Sequence, residues 1–396
     1  MNKPVSSWPS RFLGFRNVAS ATSLLLIAAV AICAQGPGKL APGRATSASH
    51  GKVVGVEFVG RMVADLDKSV AFYKAIGFVP VEGVNSAWRN DEVFSRIHGT
   101  KGVESRMAKF TLNSNISGKP FTLYLRDFRG IKRRNVMRDK TAWEPGATHI
   151  DVTVPDAQAL WSRLKTAGML WPRTHDGKLI PLPGQTKYTM AYIRDRDGMD
   201  VEIVDQHPAQ PATATQPVRA AEPPGFNHIG LVVLDSDKAK RFYGGLLGEE
   251  FPKTQSRWIS SNDFMDSVVG GHGNVLRIFN GTFAEAADPS ARMRFEVIEY
   301  QNRKKPVEAY SITDAGVGYI GLEVDGLDSF VAWLKANGIC SKCYVRSIEK
   351  ACLDGFRGCA REIKLSLNVF SRELGDGGLE CLVRRLVQRL FPQFLA

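Results

Sequence analysis

Residues 227–251 read NHIGLVVLDSDKAKRFYGGLLGEEF, and this stretch decides the fold. Residues 229–234 are apolar over the length of one buried strand. Asp235 follows and is suited to cap a helix, and hydrophobic residues then recur at helical spacing until Gly248, a residue typical of helix ends. The stretch therefore predicts one strand–helix unit, with His228 at the start of its strand.

The same unit occurs three more times along the chain. A full copy spans residues 56–78, and shorter copies span residues 149–168 and 319–338. Equivalent positions of the first and third copies lie 170 residues apart (242 − 72), and so do those of the second and fourth (319 − 149). Internal repetition at one fixed offset predicts a duplicated two-module architecture.

Each copy is followed by segments with strand character, so the repeating module is βαβββ. In the second module, Asp197-Gly198 indicates a tight turn between two strands. The predicted fold class is α+β, with two domains of paired βαβββ modules. Residues 53–206 form the first domain, residues 207–225 a Pro/Ala-rich linker, and residues 226–339 the second domain.

The N-terminal segment has the pattern of a targeting sequence. In residues 1–34, three basic residues precede an apolar run that is short for a membrane span and suits a signal peptide; an uncleaved membrane anchor is the alternative. Residues 35–52 are rich in Gly, Pro, Ala and Ser, which predicts disorder. We therefore expect a periplasmic or secreted protein, whose only membrane contact is through an N-terminal anchor.

The C-terminal segment, residues 340–396, does not repeat the ending of the first domain in register. Residues 363–369 alternate as a strand would, and residues 379–390 carry the hydrophobic stripe of an amphipathic helix. Five of the six cysteines lie in this segment, at spacings that fit no standard zinc framework. Disulfides and unpaired thiols both remain open.

The charge of the chain gives little information about partners. Its 396 residues carry a formal net charge of +12, which is compatible with nucleic acid, anionic membranes or anionic ligands. No nucleic-acid-binding motif accompanies the charge. We therefore expect a solvated basic surface and a small-molecule substrate or ligand, with no nucleic-acid partner.

Taken together, these features resemble the vicinal oxygen chelate superfamily, which contains glyoxalase I, extradiol dioxygenases and bleomycin-resistance proteins. The resemblance is carried by the paired modules, by Asp-x-Asp followed by Phe-Tyr after the first strand, and by Asp-x-Asp-Gly-x-x-x-Glu at residues 195–202. It implies that the two modules of a domain curl into a half-open barrel around one site. It also implies metal ligands at the start of the first strand and on the last strand of each module.

Placed on this sequence, the resemblance implies four metal ligands. His149 and Glu202 come from the second module, and His228 and Glu296 come from the third. Each domain then keeps one histidine and one glutamate of a four-ligand set. From the residues alone, both histidines could equally be ordinary hydrogen-bonded side chains at a strand end.

The first and fourth modules depart from the ligand pattern. Phe58 and Tyr319 stand where the histidines are expected, and Phe58 is predicted to fill the wall opposite His149. Glu380 is the candidate for the missing carboxylate of the fourth module.

The resemblance implies a metal-dependent enzyme of the glyoxalase or dioxygenase type that acts on a small molecule with adjacent oxygens. Imidazole and carboxylate ligands suit Fe, Mn, Ni or Zn, and such an ion can chelate two substrate oxygens as a Lewis acid. No residue is assigned a catalytic role. The alternative is a metal-free small-molecule binding or sequestering protein of the bleomycin-resistance type.

Overall fold

The structure is a computed structural model of the chain, and it describes residues 51–82, 87–90, 102–115, 119–184, 188–205, 223–246, 249–251, 257–283, 294–302, 310–336 and 364–367. The predicted targeting segment, most of the linker, the cysteines of the C-terminal segment and Glu380 lie outside these ranges. Both predicted domains belong to one compact unit. Within the described ranges, no helix is long and apolar enough to span a bilayer.

The described part of each predicted domain carries a series of strands and short helices. The first domain contains β1 Lys52–Met62, α1 Leu66–Ala75, β2 Val79–Pro80, β3 Glu104–Ser114, β4 Phe121–Arg129, β5 Thr148–Val154, α2 Ala157–Thr166, β6 Ile180–Pro181, β7 Thr189–Arg194 and β8 Asp200–Asp205. The second domain contains β9 Gly225–Val233, α3 Ser236–Lys240, β10 Glu249–Glu250, β11 Ile259–Ser260, α4 Asp263–Val269, β12 Val275–Phe283, β13 Arg294–Tyr300, β14 Gly318–Asp325 and α5 Leu327–Ala336. In the C-terminal segment, β15 Lys364–Leu367 falls within residues 363–369, whose alternation predicted a strand. The four predicted strand–helix units are confirmed, and α4 is an element that the repeat did not predict.

The first three units use the same device to start their helices. Asp65, Asp156 and Asp235 each accept a hydrogen bond from the backbone N–H three residues further on, at 3.2, 2.7 and 2.9 Å. Each satisfies a backbone donor that has no partner inside the helix. The third unit then departs from the pattern, because α3 continues as a π-helix over Arg241–Leu246.

Strand pairing joins the modules across the two domains. β1 pairs antiparallel with β14, and β5 pairs antiparallel with β9. The first module therefore pairs with the fourth, and the second with the third. We call the strands β8-β5-β9-β13 half-barrel 2–3, and the strands β4-β1-β14 half-barrel 1–4. The expectation that the two modules of one domain enclose one site is wrong, because the inter-module pairs form between domains.

A hydrophobic core lies between the sheet and the helices and is continuous across the domains. Phe72 and Tyr73 of α1 are fully buried in it, as their helical spacing predicted. The rings of Phe121 and Phe226, from different domains, stack with centroids 3.9 Å apart. The core therefore fixes the domains against each other and holds half-barrel 2–3 in place.

Candidate metal centre

The register of half-barrel 2–3 places four side chains on one face of the sheet. His149 on β5 and Glu296 on β13 both lie opposite Gly230 of β9, one on each side. His228 is two residues before Gly230 and so points to the same face. Glu202 on β8 pairs with Asp151 of β5. Asp151 is two residues after His149, so Glu202 lies on the same face of the sheet as His149. The four side chains thus come from four adjacent strands.

The two imidazole nitrogens at the centre of this group lie close to each other and to both carboxylates. Nε2 of His149 lies 3.0 Å from Nε2 of His228 and 3.4 Å from Oε2 of Glu202. Oε2 of Glu296 lies 3.5 Å from Nε2 of His149 and 3.6 Å from Nε2 of His228. In a flat sheet β8 and β13 would be about 14 Å apart, at roughly 4.8 Å per strand. The convergence therefore requires the strong curl of a half-barrel.

The two histidine–glutamate pairs were assigned to separate domains, and the structure brings them into one site. Phe58 does not lie opposite His149, because strand β1 belongs to half-barrel 1–4. There its ring packs edge to face on Tyr124 and Tyr319, with centroids 5.0 and 5.9 Å away. The prediction for Phe58 is wrong because β1 pairs with β14 rather than with β5. Half-barrel 1–4 carries aromatic side chains in the positions where half-barrel 2–3 carries metal-ligand types.

Gly230 allows His149 to reach the centre. A Cβ atom at position 230 would overlap the imidazole ring of His149. The repeat reproduces this relation 170 residues away, where a Cβ at Gly60 would overlap the ring of Tyr319. In both half-barrels a glycine on one strand thus makes room for the ring that its neighbouring strand presents.

Burial and the charges of neighbouring groups shift the pKa values of the four side chains in different directions. Burial, together with the charge of His228, lowers the pKa of His149 to about 4. Burial also acts to lower the pKa of His228, but nearby carboxylates outweigh it and raise that pKa well above the ordinary value. Burial raises the pKa of Glu202 well above its usual range, and the charge of Asp151 adds to the effect. Burial likewise opposes ionisation of Glu296, but His228 holds its pKa below the ordinary value. The pKa values of the four groups therefore diverge, being lowered at His149 and Glu296 and raised at His228 and Glu202.

Family models confirm the resemblance in both halves of the chain. Models described as the glyoxalase/bleomycin resistance protein/dioxygenase superfamily match residues 55–203 and residues 227–350, together about two thirds of the chain. The chain belongs to this superfamily. The fold class predicted from the repeat is thereby confirmed, with two vicinal oxygen chelate domains in tandem. Comparison with curated proteins found no match.

Solved structures of the superfamily are similar to this chain at low sequence identity. A glyoxalase I variant from Zea mays is 15% identical, with 72% of this chain and 80% of that chain covered and a TM-score of 0.40. A glyoxalase family protein from Bacillus cereus is 21% identical, with 39% of this chain and 95% of that chain covered and a TM-score of 0.32. A putative dioxygenase from Bacillus subtilis is 14% identical, with 63% and 86% covered and a TM-score of 0.30.

The donor set of this superfamily member fits a divalent metal ion. Around a tetrahedral ion with ligands at about 2.0–2.1 Å, neighbouring donors lie about 3.3–3.4 Å apart. The Nε2 atoms of His149 and His228 lie 3.0 Å apart, and each lies 3.4–3.8 Å from Oε2 of Glu202 and from Oε2 of Glu296. Two imidazole nitrogens and two carboxylate oxygens are also the ligand types that Zn, Fe, Mn and Ni accept. His149, His228 and Glu296 form one compact three-residue group that could hold an ion, and Asp151, Glu202 and His228 form a second.

Tyr192 is a site residue that the sequence reasoning missed. Its hydroxyl donates to Oε2 of Glu202 at 3.2 Å and lies 3.2 and 3.3 Å from the two ring nitrogens of His149. Burial raises the pKa of Tyr192 well above its ordinary value, so the hydroxyl keeps its proton. A signal was present, because the turn at Asp197-Gly198 fixes a hairpin register that pairs Tyr192 with Glu202. That register places both side chains on the same face.

Proposed function

We propose that this chain is a metal-dependent enzyme of the glyoxalase type, which moves a proton on a small molecule that has two adjacent oxygens. One observation supports this proposal most directly. Two imidazoles and two carboxylates from four strands, two from each domain, converge although they are far apart in the sequence: the two Nε2 atoms lie 3.0 Å apart, and each lies 3.4–3.8 Å from both carboxylate oxygens. An arrangement that places two imidazoles and two carboxylates together in a buried site is costly without a cation to bind.

The chemistry is divided between the ion and the side chains. A bound divalent ion would supply Lewis-acid polarisation of the two substrate oxygens. Glu202 is the side chain that we assign to take up and hold a proton at Oε2, because it is the carboxylate outside the compact group of His149, His228 and Glu296. The Tyr192 hydroxyl, 3.2 Å away, keeps that carboxylate in place. His149 and His228 would supply imidazole ligands to the ion.

The second carboxylate favours the glyoxalase type over the dioxygenase type. Two histidines and one carboxylate with open positions are the pattern of non-haem Fe(II) oxygenases. Here Glu202 adds a further carboxylate to that set, 3.4 Å from His149 and 3.8 Å from His228. A proton transfer without redox chemistry can use this extra carboxylate, whereas oxygen activation needs the position open. The dioxygenase type stays the second candidate, because His149, His228 and Glu296 alone satisfy its pattern.

Metal binding to the purified full chain tests the first part of the proposal. We expect Ni²⁺, Zn²⁺ or Mn²⁺ to bind with one-to-one stoichiometry in calorimetry, and His228→Ala or Glu296→Gln to weaken binding at least about a hundredfold. Glu299→Gln is the matched control on β13, because Glu299 is buried but bonds the Ser236 N–H instead of facing the site. Equal metal affinity in all of these variants would contradict the proposed metal centre.

Glu202→Gln separates the two reaction types. If Glu202 carries the proton, this variant should retain the ion yet lose about 10²–10⁴-fold in turnover, the usual contribution of a general base. Turnover should be measured with 2-oxoaldehyde–thiol adducts, and oxygen uptake with catechols. Oxygen uptake that survives Glu202→Gln would instead indicate the dioxygenase type.

A further inference from the structure

Asp151 is a buried carboxylate beside the metal centre that the ligand pattern does not use. It lies on β5 two residues after His149, on the same face, and is 2% exposed. Its Oδ2 lies 3.0 Å from Nδ1 of His228 and accepts a hydrogen bond from Nδ2 of Asn227 at 2.7 Å. Asp151 therefore contacts the ring of a candidate ligand from behind.

The two ring nitrogens of His228 face different groups. Nε2 points into the centre, 3.0 Å from Nε2 of His149 and 3.6 Å from Oε2 of Glu296. Nδ1 faces Asp151, although the contact is not aligned well enough to count as a hydrogen bond. An imidazole that donates Nδ1–H to a carboxylate presents the lone pair of Nε2 to a metal. The position of Asp151 thus favours one tautomer of His228.

The second half-barrel supplies an internal comparison. The position equivalent to 151 is Gly321 (151 + 170), and the position equivalent to His228 is Phe58 (228 − 170). A Cβ atom at Gly321 would overlap the ring of Phe58. Asp151 therefore accompanies His228 in half-barrel 2–3, whereas Gly321 accompanies Phe58 in half-barrel 1–4.

We propose that Asp151, held by Asn227, is a positioning residue: it fixes the ring and tautomer of His228 so that Nε2 binds the metal. This inference rests on the proposed metal-dependent function and assigns no contact between Asp151 and substrate. Carboxylates that orient ligating histidines in this way typically contribute about 10–100-fold to metal affinity. The burial of Asp151 agrees with this role, because a buried carboxylate keeps a fixed position against the His228 ring.

The test compares Zn²⁺ affinity and histidine NMR in the full-length protein and two variants. Asp151→Asn should weaken Zn²⁺ binding about 10–100-fold. Asn227→Leu, which leaves Asp151 in place but removes its donor, should weaken binding by a smaller factor and serves if Asp151→Asn does not fold. Asp205→Asn is the matched control, because Asp205 is buried on the adjacent strand β8 but bonds the backbone N–H groups of Ala157 and Thr189.

The ¹⁵N spectrum of labelled histidines distinguishes positioning from a general loss of structure. In the Zn²⁺-loaded parent protein, His228 should be metal-bound at Nε2 and should carry a slowly exchanging proton on Nδ1. That Nδ1 proton signal should be lost in Asp151→Asn and retained in Asp205→Asn. Unchanged affinity and an unchanged Nδ1 signal in Asp151→Asn would overturn the inference.

Two further outcomes separate the inference from the function on which it rests. Loss of affinity as large as that of His228→Ala, at least about a hundredfold, would make Asp151 a ligand and overturn its positioning role. Failure of the parent protein itself to bind Zn²⁺, Ni²⁺ or Mn²⁺ would overturn the proposed function, whatever the variants do.

Discussion

At Gly230, the absence of a side chain leaves the space that the His149 ring occupies in the candidate metal centre. The residue lies between His149 and Glu296 in the register of three strands, and the His149 ring occupies the space of its missing Cβ atom. Strand geometry alone would tolerate alanine here, since no left-handed backbone is required. The constraint is therefore the close approach of a functional side chain rather than backbone conformation.

Gly230→Ala should displace the His149 imidazole and lower metal affinity at least about tenfold. Gly60→Ala is the matched control, because its Cβ would overlap Tyr319 in the half-barrel that carries aromatic rings at the equivalent positions. We expect Gly60→Ala to cost about 1–3 kcal/mol of stability through overpacking and to leave metal affinity unchanged. Calorimetric titration and urea unfolding of both variants measure the two effects. An identical change of metal affinity in the two variants would contradict this assignment.

Asp197 connects the first and second modules through a buried network. Its carboxylate accepts hydrogen bonds from the backbone N–H of Ala64 at 3.0 Å and from Nδ2 of Asn135 at 2.9 Å. Burial, followed by the nearby charge of Asp195, raises the pKa of Asp197 from 3.8 to about 7. Between these two pH values the folded protein holds a proton that the unfolded chain releases. Stability therefore falls as pH rises through this window.

Asp197→Asn should reduce this pH dependence. Relative to the variant, the parent protein should lose on the order of 2 kcal/mol of unfolding free energy between pH 5 and pH 7, since one pKa unit corresponds to about 1.4 kcal/mol. Urea unfolding at several pH values measures the difference. The variant also loses one acceptor, which lowers its stability at every pH and does not alter the comparison of slopes. Parallel pH profiles for the two proteins would contradict the raised pKa.

At the scale of single elements, the aspartate caps start the helices that cover the sheet. In α2, Asp156 accepts from the backbone N–H of Ala159 at 2.7 Å, while Ala157, Leu160 and Leu164 bury the opposite face. A helix of this length is marginal by itself, so both the cap and the buried face are needed. The aspartate that follows the first strand of these repeated units is thus a helix N-cap, and it has no role in the candidate metal centre.

Asp156→Ala should destabilise the protein by about 1 kcal/mol, the typical cost of removing an N-cap acceptor. Gln158→Ala, at an exposed position of the same helix, should change stability by less than about 0.5 kcal/mol. Equilibrium denaturation of the two variants measures the difference. Metal affinity should be the same in both, because α2 contributes no donor to the centre. A cap variant as stable as the Gln158 variant would show that packing alone starts the helix.

At the scale of the whole molecule, each half-barrel is built from one module of the first domain and one module of the second. β1 pairs with β14 over Lys52–Arg61, and β5 pairs with β9 over Thr148–Thr153. Neither domain by itself holds both histidine–glutamate pairs. The candidate metal centre therefore requires the association of the two domains.

Cleavage in the linker should leave the metal centre intact. A protease site introduced within residues 207–222 and cut in the folded protein should yield two fragments that co-elute in size-exclusion chromatography. The nicked protein should bind metal as the intact chain does, because the inter-domain strand pairs and the core persist. Cutting in denaturant, with the fragments then kept apart, is the control. Two fragments that separate under native conditions would contradict the inter-domain pairing.

Much of the candidate site could be predicted from local sequence. His149, His228, Glu202 and Glu296 were identified because the repeat places them at equivalent ends of equivalent strands. Their assembly into one centre could not be predicted, because the repeat has two equally regular ways to pair its modules. Pairing within domains gives two incomplete sites, and pairing between domains gives one complete site. Tyr192 was missed because a tyrosine in a hairpin carries no sequence signal until its register is considered.

The sequence by itself determined the modules, the starts of their helices and the residue types available for chemistry. These features depend on local propensities and on spacing, which act within a few residues of the chain. Only the tertiary structure decided which modules face each other, and with it that two histidines and two carboxylates share a single point. That choice depends on burial across strands far apart in sequence, where the continuous core and the fit of rings against Gly60 and Gly230 favour one pairing.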